Sequence, residues 1–258
     1  MKILSLNINN FGVYEAPNRY KAEGILHYIS DKSLDIVILQ EFRKSDVGNL
    51  FLEELDKRGW VVKYPKHPFK KDTCEKDYKV QSHVIALISK ELKDYEIVNP
   101  IINSKSQMWP RWIGIDISNL QIVGVHIPSW NQRPTDSEYY WEDMLSYFDS
   151  TIANKVIIIG DMNVYEKGTN SKKKFYELID KGLEDLWRKS VINNKAFIIN
   201  EDSIERKCDD KDKLTYKNIT RIDYALGVSD ITISKMIIDD STLKFTDHSA
   251  LLLYIDNK

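Results

Sequence analysis

Short apolar runs that end in polar side chains recur along this chain. The clearest is residues 156–159, four consecutive β-branched or apolar residues that favour a strand buried on both faces, because branched side chains pack well on a pleated surface. Gly160 ends the run, and Asp161 and Asn163 follow at alternate positions. Alternate residues of an extended chain share a face, so both side chains are expected to project together from the strand's carboxyl end, where α/β proteins tend to build their sites. Taken alone, an Asp-x-Asn after a strand is more typical of an Asx turn.

The other apolar patterns predict strands and helices in alternation. Alternating or continuous apolar runs predict strands at 2–9, 34–39, 60–62, 84–88, 95–98, 112–117, 120–126, 222–226, 231–238 and 251–255. Helical spacing predicts helices at 20–30, 49–58 and 135–152, and a further helix that carries Phe175 and Leu178 and closes at Gly182. We expect turns at 118–119 and 183–187, and loops without regular structure at 65–79, 128–134, 165–174 and 200–213.

The order of these elements predicts the fold class. Strands alternate with helices at both ends of the chain, and we find neither an internal repeat nor a Gly/Ser/Pro-rich linker. We therefore expect one α/β domain over residues 1–258, with two sheets packed together. A length of 258 residues is close to that of single-domain sandwiches and barrels.

Composition and charge give little indication of the partner. Hydrophobic residues make up 42% of the chain and charged residues 29%, which suits a sizeable core with a hydrated surface. The net charge of −2 provides no global positive field for a nucleic acid or a membrane. Nucleic-acid binding is weakened as a hypothesis but not excluded, because a local basic lining is sufficient. Lysine-rich stretches at 66–79 and 172–174 could provide one.

Cysteine usage and the absence of targeting signals indicate the compartment. Cys74 and Cys208 lie in charged, loop-like surroundings and form no metal-spaced pair, so free thiols in a reducing compartment are expected, with a single disulfide as the alternative. The N-terminus lacks the basic lead and cleavage site of a signal peptide. No apolar run approaches the ~18 residues that a membrane span needs. We therefore predict a cytoplasmic protein without a membrane span.

Polar residues at the strand ends are the candidates for chemistry. Each one follows or interrupts an apolar strand pattern: Asn7, Glu41, His126, Asp161 with Asn163, Asp223, and the pair Asp247 and His248. Two carboxylates gathered ~4 Å apart repel by about 4 kcal/mol at an effective dielectric constant near ~20. A fold tolerates this when a divalent cation or a proton lies between them. Oxygen ligands beside histidines, with no cysteine among them, favour Mg²⁺ or Mn²⁺ over structural Zn²⁺.

Six blocks that contain these residues follow one another along the chain. They are residues 3–9 (ILSLNIN), 37–41 (VILQE), 124–128 (GVHIP), 159–164 (IGDMNV), 221–226 (RIDYAL) and 246–250 (TDHSA). In this order they resemble the motifs of the endonuclease/exonuclease/phosphatase superfamily. The resemblance implies a four-layer α-β-β-α sandwich, in which two packed mixed sheets are flanked by helices and the site lies at one edge of both. It also implies Mg²⁺-assisted hydrolysis of a phosphate ester.

The resemblance further implies which residues bind metal and handle water. Glu41 would be the main metal ligand, with Asn7 and Asp247 beside it. Asp161 would orient or deprotonate the attacking water. Asn163 would hold a phosphate oxygen or a second ion. A bound metal would draw charge off the phosphoryl oxygens.

Histidines and an arginine complete the implied site. Asp223 would pair with His248, fixing its tautomer and favouring the charged imidazolium next to the developing phosphorane. His126 resembles the histidine that serves as general acid to the leaving oxygen in deoxyribonuclease I, sphingomyelinases and phosphatases of the superfamily, although a core histidine bonded to backbone is the alternative. Arg111 lies where several members place a phosphate-contacting arginine, and a solvated arginine is an equal alternative. Trp130 and Trp187 are either platforms for a base or packing residues.

Three functions remain open at this stage. The first is a Mg²⁺-dependent nuclease that cleaves DNA or RNA, favoured by the six blocks and the lysine-rich stretches. The second is a phosphatase or phosphodiesterase acting on a phosphorylated lipid, inositol phosphate or nucleotide, favoured by His126 and the acidic pI of about 6.2. The third is a binding protein that keeps the fold without activity. The intact set of strand-end polar residues argues against this third hypothesis.

Overall fold

Two β-sheets form the centre of the molecule. The computed structural model describes residues 1–12, 18–67, 82–98, 108–151, 155–164 and 170–256. With strands numbered in chain order, the described part of one sheet contains β1 (Lys2–Asn7), β2 (Ile36–Phe42), β3 (Trp60–Lys63), β4 (His83–Ser89), β10 (Ala196–Ile199), β11 (Glu205–Lys207), β13 (Ile233–Asp239) and β14 (Ala250–Ile255). The other contains β5 (Tyr95–Val98), β6 (Trp112–Ile117), β7 (Leu120–His126), β8 (Lys155–Asp161), β9 (Leu183–Asp185) and β12 (Asp223–Val228).

Both sheets are mixed, and a parallel pair lies near the middle of each. The strand order is β11-β10-β13-β14-β1-β2-β4-β3 in the first sheet and β5-β6-β7-β8-β12-β9 in the second. β1 runs parallel to β2, and β7 runs parallel to β8. The two strands of each pair therefore have their carboxyl ends on the same side of the sheet. The polar residues that follow these strands in the sequence lie on that side.

In the described part of the chain, four helices cover the outer faces of the sheets, and a fifth packs into the cluster between them. The described helices are α1 (Arg19–Ser30), α2 (Asp46–Lys57), α3 (Pro134–Thr151), α4 (Asn170–Asp180) and α5 (Leu186–Ile192). Side chains of α1 and α2 pack with β1 and β2 in one core cluster, and those of α3 and α4 pack with β7 and β8 in another. A third cluster fills the space between the sheets. The predicted four-layer sandwich is confirmed, whereas the single domain over residues 1–258 stays a prediction.

Alternation along the strands explains how one sequence fills two cores. In β8, Ile157 and Ile159 face the inter-sheet cluster, while Val156 and Ile158 face the cluster under α3 and α4. All four are at most 1% exposed, as expected for a strand covered on both faces. The run of branched residues that stands out in the sequence is thus the centre of the second sheet.

Three predicted loops or turns are partly regular structure. The helix α4 begins at Asn170, so Lys172–Lys174 lie on a helix and the predicted loop at 165–174 is wrong for its second half. The predicted turn at 183–187 contains β9 and the start of α5, whose first backbone N–H groups donate to the Asp185 carboxylate. Strand β11 lies in the predicted loop at 200–213, and β10 is absent from the predicted elements. The exposed β11 pairs at one edge only and carries no apolar pattern to reveal it.

The remaining predictions concern cysteines, turns and membrane segments. Residues 68–79 of the lysine-rich stretch, with Cys74, lie outside the described residues, and Cys208 is a half-buried free thiol. The hairpin turn at 118–119 is confirmed between β6 and β7. Among the described helices, none combines the length and the apolar character needed to cross a membrane.

Candidate active site

The polar strand ends converge at one edge of the two sheets. His126 and Asp161 are the last residues of the parallel strands β7 and β8, and they are register partners. Asp223 is the first residue of β12, which runs antiparallel to β8, and it lies opposite Asp161. On the other sheet, Asn7 ends β1 and lies opposite Gln40 of β2. Chain direction and register therefore bring these side chains together.

An irregularity in β2 sets the position of Glu41. The pairing of β2 with β4 shifts register between Leu39 and Phe42, and Glu41 has a left-handed φ of 58°. An extra residue in one strand re-aims the side chains around it and is common next to active sites. Glu41 is consequently partly exposed, while its neighbour Gln40 is buried and donates to the Ser5 hydroxyl at 3.0 Å.

Asn7 joins the carboxylates of the two sheets. Its Nδ2 donates to Oε1 of Glu41 and to Oδ2 of Asp161, both at 3.1 Å. Its Oδ1 accepts from the backbone N–H of Asn9 at 2.9 Å. In this structure the amide nitrogen, rather than the oxygen expected of a metal ligand, therefore faces both carboxylates.

His126 lies beside the same two carboxylates. Its Nε2 is 3.5 Å from Oε1 of Glu41 and 3.8 Å from Oδ2 of Asp161. One ligand atom from each of these three residues lies within 4.8 Å of the others, close enough to hold a metal ion. Burial, together with the positive charges of Arg111 and His248, lowers the pKa of His126 well below its ordinary value. His126 is therefore a neutral imidazole, which is the form that binds metals.

Asp161 is buried among other acidic groups. Burial and the negative charge of Asp223 raise the pKa of Asp161 to about 7, although the positive charge of His248 acts in the opposite direction. The backbone N–H of Asn163 donates to Oδ1 of Asp161 at 2.9 Å. The Asx turn expected for an isolated Asp-x-Asn is thus present, and it orients the Asp161 carboxylate toward the other strand ends.

Asp223 and His248 form the second half of the cluster. Nδ1 of His248 lies 2.9 Å from Oδ2 of Asp223, and both side chains are buried. Burial alone lowers the pKa of His248, but the Asp223 carboxylate and its hydrogen bond raise it to about 9. The ligand atoms of Asp161, Asp223 and His248 again lie within 4.8 Å of one another. Asp161 therefore belongs to both groups, with a neutral histidine on one side and a charged one on the other.

Asn163, Asp247 and Arg111 lie around this cluster. Nδ2 of Asn163 donates to the carbonyl of Ile127 at 2.8 Å. Oδ1 of Asp247 is 3.8 Å from Nε2 of His248. Arg111 ends a short 3-10 helix and lies close enough to Glu41 and Asp161 for their charges to act on it, while burial lowers the pKa of its guanidinium.

Comparison with known proteins agrees with this geometry. The sequence model of the endonuclease/exonuclease/phosphatase family matches residues 4–248. The chain belongs to this family. No curated protein matches the sequence.

Solved structures of similar fold include several members of the family. The 3′ phosphatase NExo from Neisseria, bound to a product DNA hairpin, has a TM-score of 0.70 at 16% identity. An AP endonuclease from Archaeoglobus fulgidus has a TM-score of 0.71 at 15% identity, and a family protein from Leptotrichia buccalis has 0.61 at 15%. Each comparison covers 100% of both chains. At these identities the likeness shows the fold alone.

Several residues at this edge were not among the sequence candidates. The ring of Tyr216 contacts that of His248 at a tilt, with 4.9 Å between ring centres, and the Thr246 hydroxyl donates to the carbonyl of Asn7 at 2.7 Å. Thr246 is the first residue of the TDHSA block, and Tyr216 lies shortly before the RIDYAL block, which was the only signal for either in the sequence. Trp187 is fully buried, and its indole N–H donates to a backbone carbonyl, so packing is the correct alternative for this residue.

Proposed function

We propose that this chain hydrolyses phosphate esters with a divalent cation, Mg²⁺ or Mn²⁺, and that its substrate is a nucleic-acid phosphodiester. The observation that supports this most is the position of Asp161 between a neutral His126 and a charged His248. One face of Asp161 suits a cation, and the other suits a phosphate whose negative charge increases during reaction.

The donor atoms fit a divalent cation. Glu41, Asp161 and His126 offer two carboxylates and one neutral imidazole within 4.8 Å. Asp247 is a further ligand that we propose, and it retains a buried Oδ1 for which the described residues provide no hydrogen-bond donor. Asn7 would join as a ligand only after its amide rotates to turn Oδ1 toward the carboxylates. Oxygen-rich sets of this kind favour Mg²⁺ or Mn²⁺. A bound ion there would supply Lewis-acid stabilisation of charge on the phosphoryl oxygens.

The chain's own residues perform the proton and charge handling. Asp161 orients the attacking water and accepts its proton as a general base. The His248 imidazolium, held by Asp223, donates to a phosphoryl oxygen as negative charge develops on it. Arg111 and Asn163 contact the other phosphate oxygens. His126 is one of the groups that would hold the ion, and its lowered pKa argues against the role of a charged general acid to the leaving oxygen.

A nuclease assay tests this proposal. Purified protein is incubated with single- and double-stranded DNA and RNA, with Mg²⁺ or with EDTA. Asp161→Ala and His248→Ala are expected to lower the rate about 10²–10³-fold, as is usual for loss of one preorganised group. His27→Ala, which changes an exposed histidine of α1, is the matched control. Intact substrates under every condition would overturn the nuclease assignment.

A phosphatase acting on terminal or small-molecule phosphates is the second candidate. The 3′ phosphatase of similar fold has DNA as its product in the solved complex, which favours a terminal phosphate ester as substrate. Release of inorganic phosphate from a 3′-phosphorylated oligonucleotide, without chain cleavage, would select this alternative. Release from inositol phosphates or nucleotides would instead identify a small-molecule substrate.

A further inference from the structure

A tight hairpin lies next to the candidate active site. Tyr216 and Thr220 pair across it, with N of Tyr216 donating to the carbonyl of Thr220 at 3.0 Å. Lys217 and Asn218 form its tip with φ values of 48° and 52°, as in a type I′ turn. Such turns favour Asn and Gly, and a left-handed backbone is unfavourable for lysine. Residues held in unfavourable backbone conformations cluster at functional sites. The left-handed backbone of Lys217 therefore points to a role in the site.

The hairpin is attached to the segment that carries His248. The backbone N–H of Lys217 donates to the carbonyl of Asp247 at 2.9 Å, and that of Ser249 donates to the carbonyl of Thr215 at 2.7 Å. The ring of Tyr216 contacts the imidazole of His248. These bonds fix the tip at the edge of the site, so the Lys217 side chain starts from a defined position.

The Lys217 ammonium forms an ion pair with one oxygen of the Asp247 carboxylate. Its Nζ is 3.5 Å from Oδ2 of Asp247 and 5.0 Å from the ring centre of Tyr216. The side chain of Lys217 is 50% exposed and that of Asp247 is 20% exposed. A half-exposed ion pair of this type contributes little to stability and is readily broken. Among the ion pairs of Asp247 in the described residues, Lys217 provides the only lysine.

We propose that Lys217 is a second phosphate-binding group of the site, held on Asp247 until the substrate and its cation arrive. The inference rests on the proposed function, in which Asp247 binds a divalent cation. A divalent ion attracts the carboxylate more strongly than an ammonium does and repels a neighbouring positive charge. Lys217 then leaves Asp247 and binds the nearest anion, a phosphate that adjoins the scissile one on the substrate.

Metal affinity tests the first half of this proposal without any turnover. Mn²⁺ is titrated calorimetrically into wild-type protein and into Lys217→Met. Removal of the competing ammonium is expected to tighten Mn²⁺ binding about two- to fivefold, the range of a surface ion pair. Lys217→Arg, which keeps the charge, is expected to bind Mn²⁺ as wild type does. Lys244→Met removes another exposed lysine, at the end of the 3-10 helix Asp240–Lys244, and serves as the charge control.

Oligonucleotide binding tests the second half. Affinity for a single-stranded phosphorothioate DNA of about 12 nucleotides, close to the site size of a typical single-strand groove, is measured with Mn²⁺ at several salt concentrations. The sulfur-substituted backbone keeps its negative charge and resists cleavage, so the protein needs no change at the metal site. Loss of one phosphate contact in Lys217→Met is expected to weaken binding severalfold and to reduce the slope of log affinity against log salt by about one. Lys217→Arg is expected to restore both.

The outcomes separate this inference from the proposed function. Wild-type protein that binds no Mn²⁺ would overturn the metal site itself. Equal Mn²⁺ affinities for wild type and Lys217→Met, or the same tightening in Lys244→Met, would overturn the contact with Asp247 as a competitor for metal. Tighter Mn²⁺ binding with an unchanged salt slope would overturn the phosphate contact.

Discussion

Asp161 and Asp223 lie opposite each other on the antiparallel strands β8 and β12, and both carboxylates are buried. Burial and the charge of Asp223 raise the pKa of Asp161 to about 7, because a neighbouring like charge in a dry site disfavours ionisation of Asp161. The Asp161 and Asp223 carboxylates therefore repel each other at this edge of the second sheet. Nearby, His248 provides a positive charge that relieves part of this repulsion, and a bound cation would relieve more.

Neutralising Asp161 is expected to stabilise the protein in the absence of metal. The pKa of Asp161 is higher in the folded state than the ordinary 3.8, so its ionised form opposes folding at pH 8 and this penalty disappears on acidification below about 4. Asp161→Asn should therefore increase the free energy of unfolding at pH 8 by on the order of 1–3 kcal/mol while abolishing activity. Urea denaturation in EDTA at pH 8 and pH 4 measures this. A variant that is less stable at both pH values would contradict the repulsion.

The charge of His248 predicts an alkaline limit to activity. Its folded pKa of about 9 lies above the ordinary value of 6.5, so the Asp223–His248 pair stabilises the fold fully below pH 6.5 and this contribution is lost as the pH rises through 9. If the imidazolium acts on the phosphate, kcat/KM is expected to fall about tenfold per pH unit above that value. NMR titration of the His248 Cε1–H resonance measures the pKa directly.

Asp223→Asn is the variant that tests the cause of this shift. Without the Asp223 carboxylate, the two strongest causes that raise the pKa of His248 are lost. Burial still lowers this pKa, and only the weaker effects of the Asp161 and Asp247 charges oppose it, so the alkaline limit should move to a lower pH. His27→Gln, on the exposed face of α1, should leave the pH profile unchanged. An unmoved limit in Asp223→Asn would show that another group titrates.

Divalent cations are expected to raise the melting temperature through Glu41. An ion at about 100 times its dissociation constant stabilises the folded state by about 2.7 kcal/mol, which corresponds to roughly 5–10 °C for a chain of this size. Glu41→Gln removes a proposed ligand and should eliminate most of the shift. Glu96→Gln changes an exposed acid of β5 and should retain it. Thermal scans with Mg²⁺, with Mn²⁺ and with EDTA give the comparison, and an equal shift in both variants would remove Glu41 from the metal site.

Residues whose position depends on chain direction could be predicted from the sequence, and those that depend on local irregularities could not. Asp161, His126 and Asn7 end apolar strands, so their convergence follows from the parallel pairs. The rotation of Glu41 by a register shift in β2 left no periodic signal, and neither did the orientation of the Asn7 amide. Tyr216 contacts His248 across a hairpin with too few apolar positions to reveal a pattern.

Gly160 is expected to be essential to the position of Asp161. Its φ is +146°, and a Cβ atom there would lie 2.1 Å from the carbonyl oxygen of Val125, on the neighbouring strand β7. The close approach holds β7 against β8 immediately before the His126–Asp161 register pair. Gly160→Ala must therefore separate the strands as well as adopt an unfavourable backbone, and we expect a loss of roughly 2–4 kcal/mol in the free energy of unfolding.

Gly182→Ala separates these two effects. Gly182 also has a positive φ, +102°, but nothing lies within 4 Å of the place that a Cβ atom would take, so only the backbone penalty of roughly 1 kcal/mol applies. Urea denaturation of both variants gives the difference that the contact with Val125 contributes. Activity gives a second measure, because separation of β7 from β8 displaces His126 from Asp161, whereas the change at Gly182 leaves that pair in place. Equal losses of stability in the two variants would mean that the contact with Val125 contributes nothing to the free energy of unfolding. The hydrogen bonds from Asn7 and Asn163 would then be what positions the Asp161 carboxylate.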